Sequence, residues 1–160
     1  RRMVMEYRID STNWEQENFL KLFHMLQNHP DTKLVLYLNE PQDKKEEIWE
    51  KIVGYYLNIL GIAHHLKGYG YLKYGILSCI NHPEDLESVT KILYPKIAAV
   101  YHTTPGKVEH GIRNAIKKAW EGEKSEEWET IFGKGYLHKN LKPTNARFIA
   151  SVSDFILINN

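Results

Sequence analysis

The chemistry on offer in this sequence is concentrated between Pro95 and Trp120. At about 100° per residue, a helix opening at Pro105 turns Val108, Ile112, Ala115, Ile116 and Ala119 to one side. The other side collects His110, Arg113, Asn114 and Lys117, flanked by Lys107 and Glu109. Hydrogen-bonding groups of three kinds thus fall within about three helical turns. Arg or Lys can donate to guanine O6 and N7, Asn can bond adenine in both directions, and Glu can accept from cytosine N4, so such a face could read base edges in a major groove. Upstream, Ile97 to Tyr101 predicts a short helix with a small residue at Ala98, where another helix could cross closely. His102-Thr103-Thr104 predicts a tight turn, with Thr104 as N-cap and Pro105 in the first helical position, where its missing amide hydrogen is not needed. A short helix, a turn and an amphipathic helix with a donor-rich outer face form the helix-turn-helix arrangement. Two packed helices with a merely solvated outer face fit the same spacing, so pattern alone leaves both readings open.

The elements that must hold this face are mostly helical. Ser11 or Thr12 can cap a first helix with Trp14, Phe19, Leu22, Phe23 and Leu26 inward, ending before Pro30. Lys33 to Asn39 reads as one short strand, whose open edges require a partner, either a second copy or a part of the protein outside this sequence. Asp43 with Glu46 forms a capping box, followed by Ile48, Trp49, Ile52, Val53, Tyr56, Ile59 and Leu60 at helical spacing as far as Gly61. Another helix runs from Lys67 to about Ile80, and His82-Pro83 closes it. Leu86 to Leu93 is expected to be helical again, with Pro95 kinking it or starting a new short helix. Thr144 can cap a last helix over Asn145 to Ile156, with Phe148, Ile149, Val152 and Phe155 inward. Lys142, just before it, suits a phosphate clamp at a helix N-terminus, or is a solvated loop lysine. The expected organisation is an N-terminal helix-strand leader over residues 1–42 and a helical domain over 43–160.

Composition excludes several alternatives. With 160 residues, 42% hydrophobic and 26% charged, the chain suits one ordinary domain with a modest appendage. No apolar run approaches the roughly 20 residues that a membrane-spanning helix needs, and no secretory signal follows Arg1-Arg2. The single cysteine, Cys79, cannot form an internal disulfide or a multi-thiolate zinc site; in an apolar helix it reads as a small buried residue rather than a nucleophile. A reducing cytoplasm is the expected compartment. Eight histidines include no i, i+4 pair with a carboxylate partner, so no metal is expected, and Gly68 and Gly70 lack the spacing of a phosphate loop. The net charge of +1 hides local blocks. Thr104 to Trp120 sets Lys107, Arg113, Lys117 and Lys118 against Glu109 alone, and Lys134 to Arg147 has four bases and no acid. Between them, Glu121 to Glu129 has five acids and one base, so the two basic stretches can make a local positive surface on a nearly neutral chain.

A resemblance sharpens this. Gly61-Ile62, Ala63-His64, Lys67-Gly68-Tyr69, Tyr71-Leu72, Thr90 to Pro95 and Ile97-Ala98 are its first carriers. Thr103-Thr104, Val108-Glu109, Ile112-Arg113, Ala115-Ile116, Ala119-Trp120, Phe132-Gly133, Lys142 to Asn145 and Phe148 to Ala150 continue it. On these residues the segment from Ile52 to about Ile158 resembles the C-terminal effector domain of the stage-zero sporulation response regulators of endospore-forming Firmicutes.

The resemblance implies an all-α main domain, a six-helix bundle containing a helix-turn-helix, that binds double-stranded DNA and regulates transcription without catalysis or a cofactor. It implies a box near TGTCGAA, a homodimer or tandem copies bound head to tail, no membrane partner, and an acidic stretch presented to the sigma subunit of RNA polymerase. The expected protein is cytoplasmic and associates with the nucleoid when bound to DNA. The recognition-helix contacts carry over to Lys107, Glu109, His110, Arg113 and Asn114, with Lys117 and Lys142 added from the local reading. Lys107 and His110 stand where the family typically has Arg, and Asn114 where it has His, so the preferred box is expected to differ. Glu109 and Arg113 are unchanged. His29 to Leu36 is similar to a helix-to-strand step of a phosphoacceptor receiver, but its acidic pocket is missing, so no phosphorylation switch is inferred. Residues 1–42 could supply a constitutive dimer contact, be the remnant of a receiver, or be the tail of a longer protein. The alternative is a helical protein-interaction module that has lost base readout and modulates another regulator.

Overall fold

The computed structural model describes residues 4–10, 24, 27, 33–39, 42–139 and 141–159. By contact density the chain divides into two units, Arg1–Ile48 and Trp49–Asn160. In the first, β1 (Val4–Asp10) and β2 (Lys33–Asn39) form a parallel pair in register from Val4 opposite Lys33 to Asp10 opposite Asn39. The expected strand at Lys33 is therefore present, but its partner lies in this same chain. The sequence reading missed β1, although Met5-Glu6-Tyr7-Arg8-Ile9-Asp10 alternates apolar and charged residues at the period of a half-buried strand. Parallel strands require a crossover of a dozen or more residues, and positions 11–32 provide the length. The helix expected there, with Trp14 and Phe19 inward, lies outside the described residues.

The remaining described elements are helical, as expected for the main domain. Six α-helices follow: α1 (Gln42–Ile59), α2 (Lys67–Asn81), α3 (Tyr94–Val100), α4 (Pro105–Glu121), α5 (Glu127–Phe132) and α6 (Asn145–Asn159). α1 begins at Gln42, so Asp43 is inside its first turn rather than its N-cap. Its fully buried positions are Val53 and Leu57, continued by Leu60 just beyond the helix, a spacing of four and three. Ile48, expected inward, is 46% exposed, and Leu57 takes its place in the apolar stripe. Gly61 then turns the chain with φ 77°, a conformation that costs glycine little.

α2 is the central helix. Tyr71, Leu72, Ile76, Cys79 and Ile80 are all buried, and α2 packs against both α4 and α6. Burial pushes the Cys79 thiol up to about 12, helped by the negative charges of Asp85 and Asp154 and opposed by Lys96, so the residue behaves as a small apolar group. Leu86 to Leu93 does not form one α-helix. A 3₁₀ turn at Pro83–Leu86 is followed, after Glu87 and Ser88, by a π-helical turn at Val89–Leu93 that runs directly into α3. Pro95 sits in the first turn of α3, the second of the two alternatives. The irregularity accompanies a buried carboxylate. Asp85 is 0% exposed and accepts a hydrogen bond from Ser78 Oγ at 2.6 Å and another from Lys96 Nζ at 2.5 Å, tying α2, the 3₁₀ turn and α3 together.

The aromatic residues complete the other end of the core. Trp120 meets Trp128 edge-on at 5.2 Å, Trp128 stacks on Phe132 at 5.2 Å, and Phe132 stacks on Tyr136 at 5.1 Å. Packing thus accounts for these rings. α6 buries Phe148, Ile149, Val152 and Ile156; Phe155, expected inward, is half-buried at the edge against Tyr56.

Where α2 crosses α4, glycine lies against glycine. A Cβ built on Gly68 of α2 would stand 2.1 Å from the Gly111 carbonyl oxygen and 2.7 Å from Ala115 Cβ of α4. One built on Gly111 would meet the Tyr71 ring at 2.9 Å. Backbone cannot yield as a flexible side chain can, so α2 and α4 lie at a separation that only glycine permits. The small residue anticipated at a close crossing was Ala98, which is buried; the glycine pair was not anticipated.

Two outcomes follow. Gly68→Ala lowers stability by about 2 kcal/mol or more, whereas Gly106→Ala in the open first turn of α4 is neutral or raises it by about 0.5–1 kcal/mol; thermal unfolding of both variants distinguishes them. Burial raises the Asp85 carboxyl, but the hydrogen bonds from Lys96 and Ser78 outweigh it and hold its pKa below the usual carboxylate range. A depressed pKa contributes stability above the unfolded value that is lost as pH falls through the folded one. Lys96→Met therefore destabilises the fold at pH 7, and urea titrations show that penalty shrinking as the pH is lowered through the carboxylate range.

Candidate nucleic-acid interface

The turn between α3 and α4 is built by local hydrogen bonds. The amides of Tyr101 and Thr103 close the end of α3 on the carbonyls of Ile97 at 3.0 Å and Ala98 at 2.9 Å. His102 between them has φ 49°, the one non-glycine residue with positive φ among the described residues. Thr104 returns to an extended conformation and caps α4, its Oγ1 accepting from Lys107 N–H at 3.4 Å, with Pro105 in the first turn. Cap, turn and helix start fall where the sequence puts them. α3 ends one residue earlier than expected, at Val100.

α4 divides as its periodicity predicts. Val108, Ile112, Ala115, Ile116 and Ala119 are each no more than 5% exposed. Lys107, His110, Arg113 and Lys117 are exposed on the outer face, while Glu109 and Asn114 are half-buried. The apolar face fixes the rotation of the helix about its own axis, and the polar face is left to solvent as a consequence. Two ion pairs stiffen the outer side chains at i, i+4: Arg113 donates to the Glu109 carboxylate, and Lys117 lies 3.7 Å from Glu121.

The predicted residues do not form one cluster. Arg113, Glu109 and Lys142 border a groove of about 350 Å³ between α4 and the start of α6. Lys142 is exposed there, in the loop that leads to the Thr144 cap, whose Oγ1 accepts from Arg147 N–H at 3.2 Å. Lys107 and His110 border a different and larger groove on the opposite side of α4. Asn114 and Lys117 lie further along the helix and border neither. Arg147, the last base of the second basic stretch, sits over the Tyr136 ring at 5.2 Å, so part of its charge is turned toward an aromatic face.

Sequence reasoning missed Asn145. Its Nδ2 donates to Tyr94 Oη at 3.0 Å and to the Glu109 carbonyl at 3.1 Å, so the first residue of α6 joins α3 to the middle of α4. Burial raises the Tyr94 hydroxyl above its ordinary pKa and keeps it protonated, against the opposing hydrogen bond from Asn145. An asparagine in the first turn of a helix reads as local capping, and nothing in its spacing announces a bond to residues 36 and 51 positions away.

No helix among the described residues is long and apolar enough to cross a membrane. The family model for Sporulation initiation factor Spo0A C terminal matches residues 53–156, about two thirds of the chain. That span takes in α2 to α5 entire, the last turns of α1 and most of α6, including the α3–α4 turn and every outer-face residue described above. Buried core, turn geometry and family match agree, and the chain belongs to the Spo0A C-terminal family, the DNA-binding effector domains that regulate transcription at the initiation of sporulation.

Proposed function

We propose that this chain is a sequence-specific regulator that lays α4 in the major groove, reads base edges with Lys107, Glu109, His110, Arg113 and Asn114, and holds the backbone with Lys117 and Lys142. The observation that carries this reading is the division of α4: every apolar side chain of its inner face is buried, and Lys107, His110, Arg113 and Lys117 remain exposed next to a capped turn. Glu109 holds the Arg113 guanidinium along the helix before any DNA arrives, which reduces the side-chain entropy lost on binding. Arg113 offers a planar fork for guanine O6 and N7, and Asn114 suits adenine. His110 has no such fork, so readout at its position is weaker than with Arg and the preferred box departs from the family's. Asn145 is a positioning residue, holding α4 at the Glu109 carbonyl.

The domain acts as a non-catalytic cytoplasmic protein, on the nucleoid when bound, as a homodimer or as tandem copies. Residues 43–160 form the effector domain and 1–42 its leader. The acidic stretch from Glu121 to Glu129, at the far end of α4 and in α5, is repelled by phosphates and is free to meet the RNA polymerase sigma subunit.

Selection of bound duplexes from a random pool tests both binding and the altered box. On the selected duplex, Arg113→Ala costs about 1–3 kcal/mol and relaxes preference at one base pair, whereas Lys142→Ala weakens all duplexes alike and reduces the log–log salt slope by about one. Fluorescence anisotropy over a salt series separates the two. Equal losses on every sequence would refute the assigned roles, and absence of any salt-dependent duplex affinity would favour the protein-interaction module instead.

A further inference from the structure

The two strands of the leader differ in chemistry, and the difference singles out one sheet edge. β1 and β2 pair residue for residue over seven positions, and among the described residues no third strand joins them. An isolated two-stranded sheet is marginal in water, and independent stability takes three or more strands or a covering layer. β1 carries Glu6, Arg8 and Asp10, a charge at every second position. That is the composition of an edge strand, where charges oppose the approach of a further strand. β2 instead carries five consecutive apolar residues, Leu34-Val35-Leu36-Tyr37-Leu38, with Lys33 as its single charge. A parallel strand with an unbroken apolar run belongs inside a sheet, with strands on both sides of it. Here β1 takes up only one side of β2.

We propose that the second edge of β2 pairs with β2 of another copy of this chain, antiparallel, to make a four-stranded sheet ordered β1-β2-β2-β1. A two-fold axis that sets one strand edge against its own copy makes the two strands antiparallel, and the resulting contact closes on itself. Main-chain hydrogen bonds supply the affinity, as in strand addition generally. Both apolar strands then lie inside the sheet, and the charged β1 of each copy forms its outer edge. The pairing does not depend on what α4 binds. Its consequence for the proposed function is that two copies of α4 are carried by one assembly, so two neighbouring boxes can be met together.

The charge pattern of β2 selects a second copy as the occupant. With the axis at Leu36, all seven residues find a partner: Leu34 stands opposite Leu38, Val35 opposite Tyr37, and Lys33 opposite Asn39. The two Lys33 residues fall at opposite ends of the strand pair, about 20 Å apart at about 3.4 Å per residue, where their repulsion is largely screened. No like charges therefore meet across the contact. Parallel addition in register would stack Lys33 on Lys33 and leave the same edge open on each new copy, which builds a fibre rather than a closed assembly.

The test combines sedimentation of the full chain without DNA and cysteine cross-linking. The expected result is a species of twice the 18.8 kDa chain mass at micromolar concentration, with no growth beyond the dimer. Residues opposite each other in an antiparallel pair have Cα atoms about 4.5–5.5 Å apart, within the range a disulfide spans. Leu36→Cys should therefore give a covalent dimer on mild oxidation, and Tyr7→Cys, in the middle of β1, should not. Cys79 is buried with its thiol pushed up to about 12, so a disulfide reports on the introduced thiol. Where Leu36→Cys does not fold, the double variant Lys33→Cys, Asn39→Cys decides instead: its two thiols are too far apart along one strand to bridge within a chain, and they meet only across the proposed contact. A monomeric unsubstituted chain, or one that grows past the dimer, would overturn the proposal. So would a dimer in which Tyr7→Cys cross-links as readily as the β2 variants, which would put the contact on β1, or in which the folded β2 variants do not cross-link at all. Each of these results leaves the reading of α4 as it stands.

Discussion

The crossing of α2 and α4 at Gly68 and Gly111 is the constraint on which the rest of this domain depends. Two backbones that approach until a methyl group would collide fix both the separation of the helices and their relative slide. Val108, Ile112, Ala115, Ile116 and Ala119 then determine the rotation of α4, because each turn of the helix must place an apolar side chain in a core that excludes water. With separation, slide and rotation set, the positions of Lys107, His110, Arg113 and Lys117 in space follow. The exposed face is thus a product of what the buried face requires. A docked helix that could roll or slide would present its donors over a range of positions, and base discrimination depends on hydrogen bonds whose geometry is narrow.

Polar interactions refine what apolar packing begins. Asn145 reaches from α6 to Tyr94 and to the Glu109 carbonyl, so three helices meet at the half of α4 nearest the turn. Asp85 does the same for α2, the 3₁₀ turn and α3, with Ser78 and Lys96 as donors. A buried carboxylate left unpaired would be costly, so the pair constrains where α3 can begin. α3 in turn provides the turn through His102 and Thr104. The helix-turn-helix is therefore held by buried or half-buried hydrogen bonds as well as by packing, since α3, with seven residues, is too brief to be stable alone.

Much of this was legible in the sequence, for identifiable reasons. The Thr104 cap, Pro105 and the spacing of five apolar residues on α4 are local signals, and local signals determine helix starts and faces. Lys142 before a Thr144 cap was legible in the same way. What escaped depends on partners distant in sequence. β1 carries a local alternation, but its parallel pairing is visible only once β2 is placed beside it in register. The irregular stretch from Pro83 to Leu93 keeps apolar spacing compatible with an ordinary helix, yet breaks because Asp85 is drawn inward to Ser78 and Lys96. Gly68 and Gly111 appear unremarkable singly, and only their juxtaposition reveals a crossing. Asn145 belongs to the same class, since it unites residues from three elements.

The central claim, that the outer face of α4 is the surface that meets DNA, is tested most directly by titrating a selected duplex into the isotopically labelled chain and following backbone amide shifts residue by residue. Shift changes concentrated in residues 102–117 and 142–147, with α5 little affected, are the predicted result. Changes centred on the acidic segment 121–132, or an undisturbed α4 in the presence of saturating duplex, would contradict the account.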